Sequence, residues 1–224
     1  MTKAGGIKLQ AGLPFILEGV QVQARRLALV PEIELLLLTD DYPDQSLGAA
    51  DYHRLMAQPP YWAFCWGGGQ ALARWVLDHP QQVARKRVID FGAGSGVAGI
   101  AAALAGASAV LAVDIDADAL QVCHANAARN LSQCDGVTLT TATAFQPDPG
   151  ALLLAADICY EEAGFAAVID HIQAGGAAIV AESRQRDLHL RFPLLQRVAE
   201  FQVRTFPDLL ESENFDLVHV FSTI

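Results

Sequence analysis

The sequence predicts an α/β fold in which a seven-stranded, mostly parallel sheet carries helices on both faces and ends in an antiparallel β-hairpin. Three observations point there. Between residues 69 and 182, short apolar β-rich runs alternate with segments of helical periodicity, the pattern of successive βα units. Hydrophobic residues make up 52% of the 224 and charged residues only 18%, which suits a sheet buried on both faces. Beyond those units the rhythm breaks: 202–206 and 215–221 read as two strands with no helix between them. Parallel neighbours need a long crossover, so this last pair is antiparallel.

In chain order, residues 1–58 read as a β-arm or cap ahead of a core over 59–224, the whole being a single domain. Strand-like runs lie at 20–29 and 31–39, the second entering an Asp40-Asp41-Tyr42-Pro43 turn. A helix follows over 69–77, with Ala71, Leu72, Trp75 and Val76 on one side and Pro80 soon after its end. Next come strand 87–91, helix 97–105, strand 109–113 and helix 117–129. The last of these carries Leu120, Cys123, His124 and Ala127 at helical spacing. Residues 137–141 form a β-rich run and 152–159 a buried strand. A helix over 164–173 leads through Gly175-Gly176 into strand 177–182, and a helix over 188–200 precedes the final pair.

The chemistry concentrates where strand 87–91 meets its helix. Asp90-Phe91-Gly92-Ala93-Gly94-Ser95-Gly96 is a glycine turn behind a buried strand, and such glycines let a ligand approach the backbone without meeting a Cβ. Asp114 ends the next strand, where a carboxylate can accept hydrogen bonds from a ribose diol. Gly94, Gly96 and Gly99 can also be read as a dinucleotide G-x-G-x-x-G, which keeps a nicotinamide oxidoreductase in view. Asp90 argues against it, because an anion two residues before the turn repels a pyrophosphate and suits a cofactor with a cationic amino-acid end. Ser95 lacks a G-x-S-x-G elbow, so no hydrolase triad is indicated.

Composition narrows the partners. A formal charge of −10 repels a phosphate backbone, so nucleic acid is not an expected partner. The apolar stretch 97–113 is Ala-rich, broken by glycines and short for a membrane span. No basic segment followed by an apolar run opens the chain, so a secretory leader is not expected. Cys65, Cys123, Cys134 and Cys159 show no C-x-x-C spacing, which fits reduced thiols and a cytoplasmic location. The six histidines are scattered, with no metal-ligand spacing.

Asp90-x-Gly92-x-Gly94-x-Gly96 resembles motif I of the S-adenosylmethionine-dependent methyltransferases with a seven-stranded, Rossmann-like sheet. Asp157-Ile-Cys-Tyr160, at the end of the fourth core strand, is similar to the hallmark of the protein lysine methyltransferases of that class. Upstream, Pro60-Tyr61-Trp62-Ala63-Phe64-Cys65-Trp66-Gly67-Gly68-Gly69 resembles a segment of the electron transfer flavoprotein β-subunit lysine methyltransferases. The resemblance covers residues 59–165. It implies S-adenosyl-L-methionine as cofactor and a lysine in a protein as acceptor, an electron transfer flavoprotein β subunit being one candidate. Carried over residue by residue, it places Gly92, Gly94 and Gly96 along the methionine and ribose of the donor and Asp114 at the ribose hydroxyls. Trp66 is expected against the cofactor. Phe145 falls at the aromatic position beside the adenine, where the family usually has an acidic residue next to a Trp. Asp157 and Tyr160 are expected to border the acceptor site. Methylation of a small molecule, and a donor-binding interaction module without turnover, remain the other readings.

Overall fold

The structure, a computed structural model, describes residues 21–39, 53, 56–132 and 137–224. The Asp40–Pro43 turn, Cys134 and the first twenty residues of the expected arm lie outside them. Strands β1 (Val22–Arg26) and β2 (Glu34–Leu38) pair antiparallel as a two-stranded sheet of their own. After them come α1 (Gly67–Asp78), β3 (Arg87–Phe91), α2 (Val97–Leu104), β4 (Ala109–Val113) and α3 (Ala117–Leu131). The chain continues through β5 (Thr138–Ala142), β6 (Ala151–Ala156), α4 (Glu162–Gln173) and β7 (Ala177–Glu182). It closes with a single helical turn, α5 (Leu188–Arg191), and the strands β8 (Gln196–Gln202) and β9 (Leu217–Ser222).

The main sheet has seven strands in the order β5-β4-β3-β6-β7-β9-β8. Its first five are parallel, while β9 runs antiparallel to both β7 and β8. Strand alternation divides the core between the two faces. Leu152 and Leu154 of β6 pack with α1 and α2, among Leu72, Val76, Ile100 and Ala101. Leu153 and Ala155 pack on the other face with Phe165, Val168 and Ile172 of α4. The winding direction reverses between β3 and β6, and in open α/β sheets a crevice forms at such a reversal, outside the carboxyl ends of the strands.

Two local differences from the sequence reading have clear causes. The helix expected over 188–200 stops after one turn, because Pro193 forces Phe192 out of the helical region, at φ −142° and ψ 95°. The residues after it form β8, so the predicted strand 202–206 lies mostly beyond it; Phe206 keeps one bridge, to Cys65. The second difference is the connection from β5 to β6. It returns across β4 and β3 through residues 143–150 with no helix. Its aromatic residue, Phe145, fills the space a helix would have covered, with its ring 4.6 Å from that of Phe91.

The β1–β2 hairpin is tied to the core by two asparagines one turn apart on α3. Asn126 Oδ1 accepts from Leu36 N at 2.8 Å, and Asn130 Oδ1 accepts from Glu34 N at 2.8 Å. Alternate residues of a strand and i, i+4 residues of a helix repeat at similar distances, so the two side chains satisfy the strand's outer backbone groups in register. Asn126 also donates to Ser95 O at 2.8 Å, linking the hairpin to the glycine turn.

Candidate functional site

A cleft of about 550 Å³ opens at the carboxyl ends of β3, β4, β6 and β7. Trp66, Gly92, Gly94, Asp114, Asp157 and Tyr160 line it together, whereas Asp90, Gly96 and Phe145 do not.

Gly94 has φ +50° and open space where a Cβ would project, so the turn leaves room on its cleft side. Asp114 ends β4, half buried. Its Oδ2 accepts from Gly94 N at 2.9 Å and its Oδ1 from Asp116 N at 3.0 Å. Each oxygen keeps a lone pair for a ligand hydroxyl. Burial pushes the Asp114 carboxyl up, while the Asp116 and Gly94 N–H groups pull the other way. Beside it Ile115 stands 93% exposed at the cleft, with Ala119 nearby: an apolar wall suited to the face of a base. Trp66 sits at the start of α1, held by Nε1–H donation to Tyr61 O at 3.0 Å and by an edge-on contact with the Tyr61 ring.

The three absentees have different reasons. Asp90 is buried, and its Oδ2 accepts from Gly99 N at 2.8 Å, so it caps α2 from within the sheet. Desolvation there pushes its carboxyl up to about 7, against the Gly99 hydrogen bond. Gly96 turns inward; a Cβ there would meet Cys123 Sγ at 2.6 Å. Phe145 lies against Phe91 across the sheet face, as the helix-free connection requires.

Asp157 leaves β6 with φ +49°, a conformation that Asp tolerates better than most residues. Its Oδ2 accepts from Gly68 N at 2.7 Å, while Oδ1 accepts both Ser183 N at 2.9 Å and Ser183 Oγ at 2.7 Å. It therefore joins the start of α1 to the end of β7, and still faces the cleft. Burial pushes its carboxyl up, opposed by the Ser183 and Gly68 hydrogen bonds. Tyr160, 44% exposed, stands at the rim.

Asp157 at α1, Asp90 at α2 and Asp116, whose Oδ1 accepts from Asp118 N at 2.9 Å, at α3 share one consequence. At each of these helix starts one backbone N–H donates to a carboxylate of the chain itself. A pyrophosphate relies on such N–H groups, so these three contacts and the acidic lining disfavour a dinucleotide. A sulfonium-bearing nucleoside with an amino-acid tail fits the same acidic surroundings, and the ribose seat, the exposed Ile115 and the open side of Gly94 match its parts.

Sequence reading missed two more groups. Arg184, just after β7, lines the cleft. Glu182 is buried, and its Oε1 accepts from Ile158 N at 2.8 Å and Cys159 N at 2.6 Å, bracing the Asp157–Tyr160 loop from behind. Burial and the neighbouring Asp157 push its carboxyl up to about 8. The available signal was a carboxylate closing an apolar strand. Among the described residues no cluster could hold a metal ion, and no helix is long and apolar enough to cross a membrane.

Comparison with known proteins gives a consistent picture. Residues 71–157 match the family model described as ribosomal protein L11 methyltransferase (PrmA). A Danio rerio protein named electron transfer flavoprotein beta subunit lysine methyltransferase is 32% identical over 212 residues, covering 91% of this chain and 79% of that one. Its Xenopus laevis namesake is 32% identical over 195 residues, covering 84% and 77%. Among solved structures, a Thermoplasma acidophilum protein shares the fold with a TM-score of 0.50 at 20% identity, over 68% of this chain and 88% of the other.

Proposed function

The chain belongs to the family of the electron transfer flavoprotein beta subunit lysine methyltransferases, and on that premise we propose that it methylates lysine side chains of an electron transfer flavoprotein β subunit. It is an S-adenosylmethionine-dependent methyltransferase, and the observation that carries the reading of its site is the single cleft shared by Asp114, Gly94, Asp157 and Tyr160.

Bound there, S-adenosylmethionine supplies an electrophilic methyl group on a sulfonium. We assign the ribose hydroxyls to the free lone pairs of Asp114, the base to Ile115 and Ala119, and the amino-acid end to the side of Gly92 and Trp66. Asp90 and Gly96 support this seat from behind rather than touching it, and Phe145 packs the sheet. The acceptor amine is assigned to the end bordered by Asp157 and Tyr160. Methyl transfer is an in-line displacement, so holding the two reactants in line supplies much of the acceleration. A lysine attacks only as the neutral amine, and its reference pKa is about 10.4. Asp157, fixed by Gly68 and Ser183, can accept an N–H from the amine and aim its lone pair. The Tyr160 ring offers a face to the cation formed as methyl groups accumulate.

The acidic lining favours a basic acceptor segment and disfavours nucleic acid. Cytoplasmic residence is part of the same proposal, supported by three buried free cysteines, Cys65, Cys123 and Cys159. The test is incubation of the protein with isotopically labelled donor and purified electron transfer flavoprotein, followed by peptide mass spectrometry. Label on β-subunit lysines is expected. Label found only on small molecules, or on no protein, would contradict it.

A further inference from the structure

We propose that Arg184 is the carboxylate seat of the cleft and holds the α-carboxylate of the methyl donor's amino-acid end. The inference rests on the donor reading above and deepens it. The donor is not simply a cation: beside its sulfonium and ammonium it carries a carboxylate, and the cleft is lined by Asp114, Asp116, Asp157 and Glu161. An anion placed among four carboxylates is stabilised by a cation beside it. One backbone N–H at the start of each of α1, α2 and α3 already donates to Asp157, Asp90 and Asp116. Among the described residues lining the cleft, Arg184 is the one cationic side chain.

Its surroundings hold the guanidinium in place. The group lies 4.6 Å from the Phe215 ring centroid, 5.5 Å from that of Trp66 and 5.8 Å from that of Tyr160. Nη2 donates to Glu211 Oε1, and Glu211 Oε2 in turn accepts from Thr205 Oγ1 at 3.0 Å. Nη1 makes a long contact of 3.4 Å with Ser183 Oγ. A guanidinium has five N–H donors in a rigid fork, so these contacts leave donors for a ligand carboxylate. None of its nitrogens is buried without a partner, as expected of donors that reach solvent in the cleft. The Glu211 pairing aims the group and weakens its charge only in part.

The reach is right. In the sheet order β4-β3-β6-β7, the ends of β4 and β7 are three strand spacings apart, roughly 14 Å. Asp114 projects inward from one side, toward Gly94, and the long Arg184 side chain spans part of the distance from the other. Arg184 lies over the Trp66 ring, on the side to which the donor's amino-acid end is assigned.

The test uses two ligands that differ only in the amino-acid end. S-adenosylhomocysteine carries the carboxylate, whereas methylthioadenosine has the same nucleoside and thioether without it. Both are titrated by calorimetry into the full chain, its Arg184→Met variant and its Arg184→Lys variant. In Arg184→Met, S-adenosylhomocysteine is expected to bind roughly ten- to a hundred-fold more weakly, the usual worth of a hydrogen bond to a charged group. Methylthioadenosine should bind as to the wild type, which also reports that the variant is folded. Arg184→Lys should fall between. Unchanged S-adenosylhomocysteine affinity in Arg184→Met would overturn the inference, and if the KM for the acceptor protein rose instead, the arginine would be facing the substrate. Equal weakening of both ligands would also overturn it, since the arginine would then act through the shape of the cleft. A wild type that binds neither ligand would refute the donor reading itself.

Discussion

Glu182 gives the residue scale its sharpest expectation. Its carboxyl sits at about 8 in the folded chain against an ordinary 4.5, and that of Asp90 at about 7 against 3.8, in both cases because burial disfavours the charged form. The folded state therefore binds these protons more tightly than the unfolded chain does. Stability from the two groups is full below pH 4 and is lost as pH rises toward 7 for Asp90 and 8 for Glu182. The melting temperature should accordingly fall between pH 5 and pH 8.5, by roughly 5–10 °C if a few kcal/mol are involved. Glu182→Gln keeps the acceptor for the Ile158 and Cys159 N–H groups and removes the titration, so it should flatten the upper part of that fall. A wild type equally stable at both pH values would contradict the picture. Legibility at this scale followed sequence distance. Gly92, Gly94 and Asp114 belong to one short run whose spacing states its geometry. Arg184 and Glu182 reach the same place from some 70 to 90 residues away, through the strand order. Asp90 was legible as a charge in an unusual place but not as a helix cap, because the direction of its side chain depends on α2 packing under it.

Among the elements, the join between the β1–β2 hairpin and α3 is the most exposed to test. Asn126 is fully buried and pairs with Leu36 N and Ser95 O, whereas Asn130 is half buried and pairs with the backbone of Glu34. Asn126→Ala leaves a buried donor and a buried acceptor unpaired, at a cost of about 2–4 kcal/mol. Asn130→Ala should cost less, since water can replace its side chain. Chemical denaturation of both variants measures the order, and an Asn126→Ala variant as stable as the wild type would show that the hairpin does not lean on α3. Periodicity located strands 87–91, 109–113 and 177–182 to the residue, because each is an apolar run bounded by turn residues. It failed at 188–200, where Leu188, Leu195 and Ala199 suit a helix until Pro193 is weighed. The helix-free passage over 143–150 was equally hidden, since eight residues of loop do not announce which face they will cover. Phe145, on that loop, lies against Phe91 outside the cleft lining.

For the molecule as a whole, the seven-stranded order and the antiparallel ending put one crevice at the winding reversal, and the chain lines that crevice with carboxylates, while Asp157, Asp90 and Asp116 each accept an N–H at the start of a helix. The alternation of strands and helices made the architecture readable, as did the lack of a helix between the last two strands. The carboxylate contacts at α1 and α2 were not, because they require Asp157 and Asp90 to meet helices that only the tertiary structure brings to them, whereas Asp116 stands directly ahead of α3. Those contacts and the acidic lining favour a methyl donor over a dinucleotide. Calorimetric titration of S-adenosylhomocysteine and NADH into the same preparation, with Asp114→Ala alongside, tests it most directly. One S-adenosylhomocysteine per chain should bind to the wild type, at least ten-fold more weakly to Asp114→Ala, and NADH to neither. Binding of NADH without binding of S-adenosylhomocysteine would contradict the assignment.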